Sequence, residues 1–132
     1  MRRVKRVKPE QVLAKRVAGY LKRTYPNIPF RFDTGADMRT DMNSAKRNKE
    51  LHGKWSKGYP DLFICHCKRN KKGRIKYGGL YLELKATKSV PNSEHTRRQA
   101  VFHALLREQG YKVHFACGYE ESVDLIDKYL ST

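Results

Sequence analysis

A chain of 132 residues, 39% hydrophobic and 32% charged, is sized for one compact soluble domain around one core and leaves no room for a second. No run approaches the roughly 18 to 20 uninterrupted apolar residues of a membrane span. No apolar stretch follows the basic N-terminus MRRVKRVKPE, so it does not read as a signal peptide, and the expected location is the cytoplasm. Lys and Arg number 29 against 13 Asp and Glu, a formal charge of +16. That excess is larger than solubility requires and favours polyanions, with nucleic acid first.

In chain order, PEQVLAKRVAGYLKRTY from Pro9 predicts a helix, because Val12, Leu13, Val17, Tyr20 and Leu21 recur at helical spacing. Pro9 suits its first turn and Glu10 its positive end, while Pro26 and Pro29 stop it. Phe30-Arg31-Phe32 alternates like a short strand. Residues 34–57 are polar and basic, and predict a long loop with a short helix around Ser44 to Leu51. A loop of that length in a small domain is usually functional or disordered.

Leu62 to Cys67 is apolar enough for a central strand, and Leu80 to Lys85 for another. KRNKKGRIKYGG, from Lys68 to Gly79, joins them as a basic hairpin tip. A helix follows, with Ser93 as N-cap and Gly110 beyond its end. Val113 to Cys117 predicts a further strand and Glu120 to Leu130 a closing helix, with Val123, Ile126 and Leu130 inward. The order is α-β-β-β-α-β-α, with no internal repeat. The class is α/β, a central mixed sheet flanked by helices.

The informative residues sit where strands should be apolar. Asp61 opens one strand, and Glu83 and Lys85 lie two apart on the next, so those two project from one face. If the strands pair, Asp61 can meet them. A structural ion pair is the bland reading of any E-x-K triplet. Two buried carboxylates that repel each other need a further purpose, and a hard divalent cation such as Mg²⁺ supplies one. A glycoside-cleaving acid pair would explain neither the lysine nor the charge.

GYPDLFI from Gly58, GLYLELK from Gly79, the helix containing Gln99 and GYKVHFACG from Gly110 together resemble the VRR-NUC branch of the PD-(D/E)XK nucleases, including its small stand-alone phage and bacterial members. The resemblance runs from Glu10 to the last helix. It implies a restriction-endonuclease-like fold and Mg²⁺- or Mn²⁺-dependent hydrolysis of DNA phosphodiesters. By resemblance, Asp61, Glu83 and the Leu84 carbonyl hold the metal, Glu10 joins its outer shell, Lys85 is the catalytic lysine and Gln99 borders the site. Stand-alone members resemble Holliday-junction resolvases, which implies a homodimer acting on branched or double-stranded DNA. The segment from Asp37 to Lys57 has no counterpart that aligns. A non-catalytic basic nucleic-acid-binding module is the competing class.

The DNA-contact candidates are Lys54 and Lys57 in the first basic segment, Lys68, Arg69, Lys71, Lys72 and Arg74 in the hairpin, and Arg97 and Arg98 on the site helix. Their clustering in segments flanking the acids suggests phosphate tracking. Trp55 and Tyr59 either stack on an unpaired base or pack on the sheet edge, the second being the safer reading. Asp33, Asp37 and Asp41 read as solvated, with Asp33 able to approach the site. Three cysteines, an odd count, argue against a disulfide framework. Cys65-His66-Cys67 has poor zinc spacing, and alternation assigns both cysteines to core packing. His95 and His103 are about two helical turns apart, too far for one metal; His52 and His114 read as structural or solvated.

Overall fold

In the computed structural model, residues 8–33 and 42–131 are described. They form α1 (Pro9–Thr24), β1 (Phe30–Phe32), α2 (Met42–His52), a 3-10 turn (Gly53–Ser56), β2 (Leu62–Ile64), β3 (Lys68–Arg69), β4 (Ile75–Tyr77), β5 (Leu80–Lys85), α3 (Glu94–Glu108), β6 (Lys112–Cys117) and α4 (Tyr119–Leu130). The four-stranded sheet runs β1-β2-β5-β6. β1 pairs antiparallel with β2 and β2 with β5, while β5 and β6 are parallel and joined by α3 as the crossover. This is the mixed sheet flanked by helices that the sequence predicts. The α2 helix falls in the long basic segment, and β3 and β4 form a separate two-stranded sheet. Asp37 lies outside the described residues, as do Thr34 and Asp41.

Period and capping explain the helices. In α1, Leu13, Val17 and Leu21 are buried at intervals of four and make one stripe, whereas Val12 is exposed. The Ser93 side chain accepts from the Thr96 amide and starts α3. Gly110 follows α3 at φ +94, a left-handed conformation that costs glycine no steric strain. Asp127 of α4 accepts from Tyr20 at 2.5 Å and Tyr25 at 2.7 Å, tying α4 to α1.

All six residues of β5 are buried. Leu80, Leu82 and Leu84 face a core shared with Leu62, Ile64, the α1 stripe, Ile126 and Tyr129. Each such side chain contributes roughly 1.5–3 kcal/mol by leaving water. Tyr81, Glu83 and Lys85 point the other way, toward α3. The result is a sheet between α1 and α4 on one side and α3 on the other.

Two expectations need correction. The strand that starts at Leu62 ends at Ile64. The His66 amide turns back to the Ile64 carbonyl at 3.1 Å, a tight turn, and the Tyr129 hydroxyl donates to the His66 carbonyl at 2.5 Å. Cys65 and Cys67 are therefore exposed rather than packed in the core. The basic hairpin also does not flank the acids in space. Because β2 and β5 are antiparallel, Asp61 and Glu83 meet at one end of the ladder while residues 68–77 leave from the other. At a rise of about 3.3 Å per residue the six positions from Tyr77 to Glu83 span about 20 Å.

Candidate active site

Strand register builds the site. Leu62 pairs with Leu82, so Asp61, one residue earlier, falls opposite Glu83. The Asp33 amide donates to the Asp61 carbonyl at 2.7 Å, which carries the β1–β2 ladder one step past its last pair. Asp33, Asp61, Glu83 and Phe115 thus lie in one row across the sheet. Asp61 Oδ2 accepts from the Leu84 amide at 2.8 Å. That bond occupies the edge of β5 left open where β2 ends. The Leu84 carbonyl emerges on the same edge as its amide, as the paired donors and acceptors of a strand residue do.

The register sets the two carboxyl-bearing residues side by side across the β2–β5 ladder. Burial first, then the charge of Glu83, pushes the Asp61 carboxyl up to about 9, against the pull of the Leu84 amide. Glu10 adds to that push, so its carboxylate lies within electrostatic reach. Glu83 is only 1% exposed and Lys85 6%.

Helix α3 supplies partners at positions four apart, which share a helix face. Lys85 Nζ donates to Gln99 Oε1 at 2.7 Å, and both side chains are buried. His103 Nε2 lies 3.4 Å from Glu83 Oε1, and its ring sits 4.5 Å from that of Phe115. Burial, followed by the charges of Arg107 and Lys85, lowers His103 to about 4, so it is neutral at ordinary pH. Donation from Nε2 to Glu83 then leaves Nδ1 as a buried acceptor without a partner among the described residues. Sequence spacing sets His103 one turn after Gln99 on the same helix face but not against Glu83, so its part in the site shows only in the structure.

Beside Asp61 a cavity of ≈ 40 Å³ is lined by Lys8, Glu10, Gln11, Phe32, Asp33 and Leu84, among others. Glu10 and Asp33 therefore face the neighbourhood of the acids across this small space. Among the described residues, no group of three or more His, Cys, Asp or Glu is arranged to hold a metal ion. The Glu10, Asp33 and Asp61 carboxyls at the cavity wall, Glu83 opposite Asp61 in the ladder and the Leu84 carbonyl are all hard oxygen donors of the kind Mg²⁺ and Mn²⁺ take alongside water. A half-buried Asp61 carboxyl that keeps its proton well above its ordinary range, opposite a Glu83 that is almost wholly buried, makes a site short of positive charge. The residues fit a divalent cation on that ground.

The basic candidates divide by location. Arg97 and Arg98 are exposed on the first turns of α3, near the Lys85–Gln99 bond; Arg98 pairs with Glu94 at 3.1 Å and Arg97 bonds Asn92 at 3.2 Å. Lys54 and Lys57 are exposed nearby, since Gly58 approaches the Arg98 carbonyl and the Phe102 ring. In the distant hairpin, Lys71, Lys72 and Arg74 are exposed. Arg69 braces the hairpin turn through the Gly73 carbonyl at 2.9 Å, and Lys68 donates to the Lys128 carbonyl at 3.2 Å.

No family model and no curated protein sequence matches this chain. Solved structures do. One described as a "VRR_NUC domain protein" superposes with a TM-score of 0.62 at 20% identity, covering 96% of this chain and 91% of its own. Another, described as "VRR_NUC domain", gives 0.54 at 17% identity, covering 93% and 99%. At these identities the likeness is one of fold: the chain has the restriction-endonuclease-like fold of VRR-NUC domain proteins.

Proposed function

We propose that this chain is a Mg²⁺- or Mn²⁺-dependent nuclease that hydrolyses DNA phosphodiester bonds. The observation that carries the reading is Asp61 set opposite Glu83, on the strand face that also presents Lys85, in a protein of charge +16. The fold likeness to VRR-NUC domain proteins supports the same reading.

Asp61, Glu83 and the Leu84 carbonyl would hold the cation, with Glu10 beside them across the small cavity. When bound, such an ion makes a coordinated water more acidic and offsets charge on a phosphate oxygen. Gln99 fixes the Lys85 ammonium at 2.7 Å, so that its remaining protons can steady a phosphate oxygen or the attacking water. His103 limits the freedom of Glu83. Lys54, Lys57, Arg97 and Arg98 are set to hold the backbone near the scissile phosphate, and the hairpin residues Lys71, Lys72 and Arg74 to track it beyond the far end of the β2–β5 ladder.

The finer assignment is a homodimer acting on branched DNA, because paired cuts at a junction need two sites related by symmetry. The test is a panel of linear, single-stranded, flap and four-way DNA with Mg²⁺ and Mn²⁺ compared, run beside Asp61→Asn. Metal-dependent cleavage that Asp61→Asn abolishes is expected. Tight, salt-sensitive binding in EDTA with no cleavage under either metal would instead identify a non-catalytic basic binding module. Light scattering that shows a strict monomer on four-way DNA would rule out paired junction cutting.

A further inference from the structure

A cavity of ≈ 960 Å³ lies apart from the acid site. It lies between the α2 end, the 3-10 turn, the β1–β2 edge and α3, and Leu51, Trp55, Tyr59, Phe102 and Leu105 are among its walls. We infer that this groove receives unpaired nucleotides of the DNA substrate, stacked on Trp55 and Tyr59, beside the phosphate to be cut. The inference rests on the nuclease reading for its substrate and adds the class of DNA that the site accepts.

The aromatic side chains are both fixed and available. Trp55 and Tyr59 meet Phe102 edge-on, with centroids at 5.1 and 5.3 Å. The Tyr59 hydroxyl is anchored to that of Tyr81 at 2.7 Å. Yet Trp55 remains 45% exposed and Tyr59 37%. The rings thus pack at their edges, as one reading of the sequence has it, and still keep surface open to a ligand. Rings already immobilised lose little entropy on binding.

Charge selects the occupant. Arg31 is in the wall, and Lys54 Nζ stands 4.8 Å from the centroid of the Trp55 ring. Lys46, Arg47, Lys49 and Lys57 are exposed on α2 and just after the turn. Against them stand Asp33 in the wall and exposed Glu50. Aromatic floors with basic rims suit single strands, whose bases offer open faces beside phosphates; a paired duplex hides those faces.

Continuity supplies the geometry. Phe32 and Asp33 line both this groove and the small cavity at Asp61. Pro60, in the groove wall, immediately precedes Asp61. A strand leaving the groove past these residues arrives at the acids.

Trp55 is the sole tryptophan of the chain, so its fluorescence reports on the groove directly. The experiment is titration in EDTA with a blunt duplex and with the same duplex carrying a single-stranded tail of roughly six nucleotides. The tailed DNA should quench Trp55 and the blunt duplex should not. Trp55→Ala should weaken tailed binding roughly 5- to 150-fold, the loss that removing a stacking aromatic produces, and leave blunt binding unchanged. Leu105→Glu, an exposed groove-wall change, should weaken tailed binding in the same selective way, and it serves if Trp55→Ala does not fold. Equal quenching by both DNAs, or none, overturns the inference. So does a shift toward monomer on light scattering of Leu105→Glu with no quenching by tailed DNA in wild type, which would make the groove a contact between copies. Tail-dependent quenching without cleavage of any substrate would defeat the nuclease reading and leave the groove standing; cleavage without tail-dependent quenching would do the reverse.

Discussion

The two faces of β5 are buried alike and built for opposite ends. Leu80, Leu82 and Leu84 join the core under α1 and α4. Tyr81, Glu83 and Lys85 lie under α3, with Glu83 and Lys85 next to His103 and Gln99. Burial by itself therefore says nothing about role. On the leucine face it excludes water to gain stability. On the acid face the same exclusion raises the energy of charge, which the Lys85–Gln99 and Glu83–His103 contacts offset and which, in the proposed nuclease, a bound cation would offset further.

The largest effect that separates the faces is on cleavage. Lys85→Met should lower the rate of DNA cleavage by roughly 10²–10⁴-fold, the usual contribution of a positioned proton-handling group, with little change in melting temperature. Leu82→Ala should do the opposite, costing about 2–5 kcal/mol of stability while the folded fraction cuts at the wild-type rate. Activity assays paired with thermal melts check both. A Lys85→Met protein that cuts normally would remove the functional distinction between the faces.

A smaller effect should come from His103, which touches Glu83 but not the groove or the small cavity. Residues that orient a metal-holding side chain typically account for 10- to 100-fold in metal affinity or activity. His103→Asn should weaken Mn²⁺ binding by about that range, measured by calorimetry, without changing DNA binding in EDTA. Unchanged Mn²⁺ affinity would reduce His103 to packing.

A further expected effect is on pH dependence. The folded Asp61 carboxyl keeps its proton up to about 9, against an ordinary 3.8. Between those values the native state binds more protons than the unfolded chain, so stability falls as pH rises. His103 works the other way between about 4 and 6.5, where the unfolded chain holds more protons. Above 6.5 only the Asp61 contribution remains of the two. In EDTA the melting temperature should therefore fall from pH 6.5 to 9. Mg²⁺ or Asp61→Asn should flatten that slope. A slope unchanged by both would show that the acid pair does not carry it.

Legibility differed by residue. Asp61, Glu83 and Lys85 could be singled out because carboxylates and a lysine on otherwise apolar strands break the expected pattern. Their meeting required the β2–β5 register, which places Asp61 opposite Glu83. His103 was silent because a buried histidine on a helix looks like any other core position until the strand beneath it is known. The exposed Cys65 and Cys67 followed from a turn after Ile64 that alternation cannot foresee. The hairpin was recognised as basic, yet adjacency in sequence concealed that antiparallel pairing carries it to the far end of the sheet.

The amino-acid sequence alone determined the local matters: the α1 stripe, the Ser93 cap, the turn at Gly110, the apolar strand segments and the net charge. These depend on contacts within a few residues or on simple sums. Tertiary packing decided which charges became neighbours, which aromatic rings stayed open beside Asp33, and how far the hairpin stands from the acids. Those outcomes depend on pairing between segments far apart in the chain, where a shift of one residue turns every side chain to the other face.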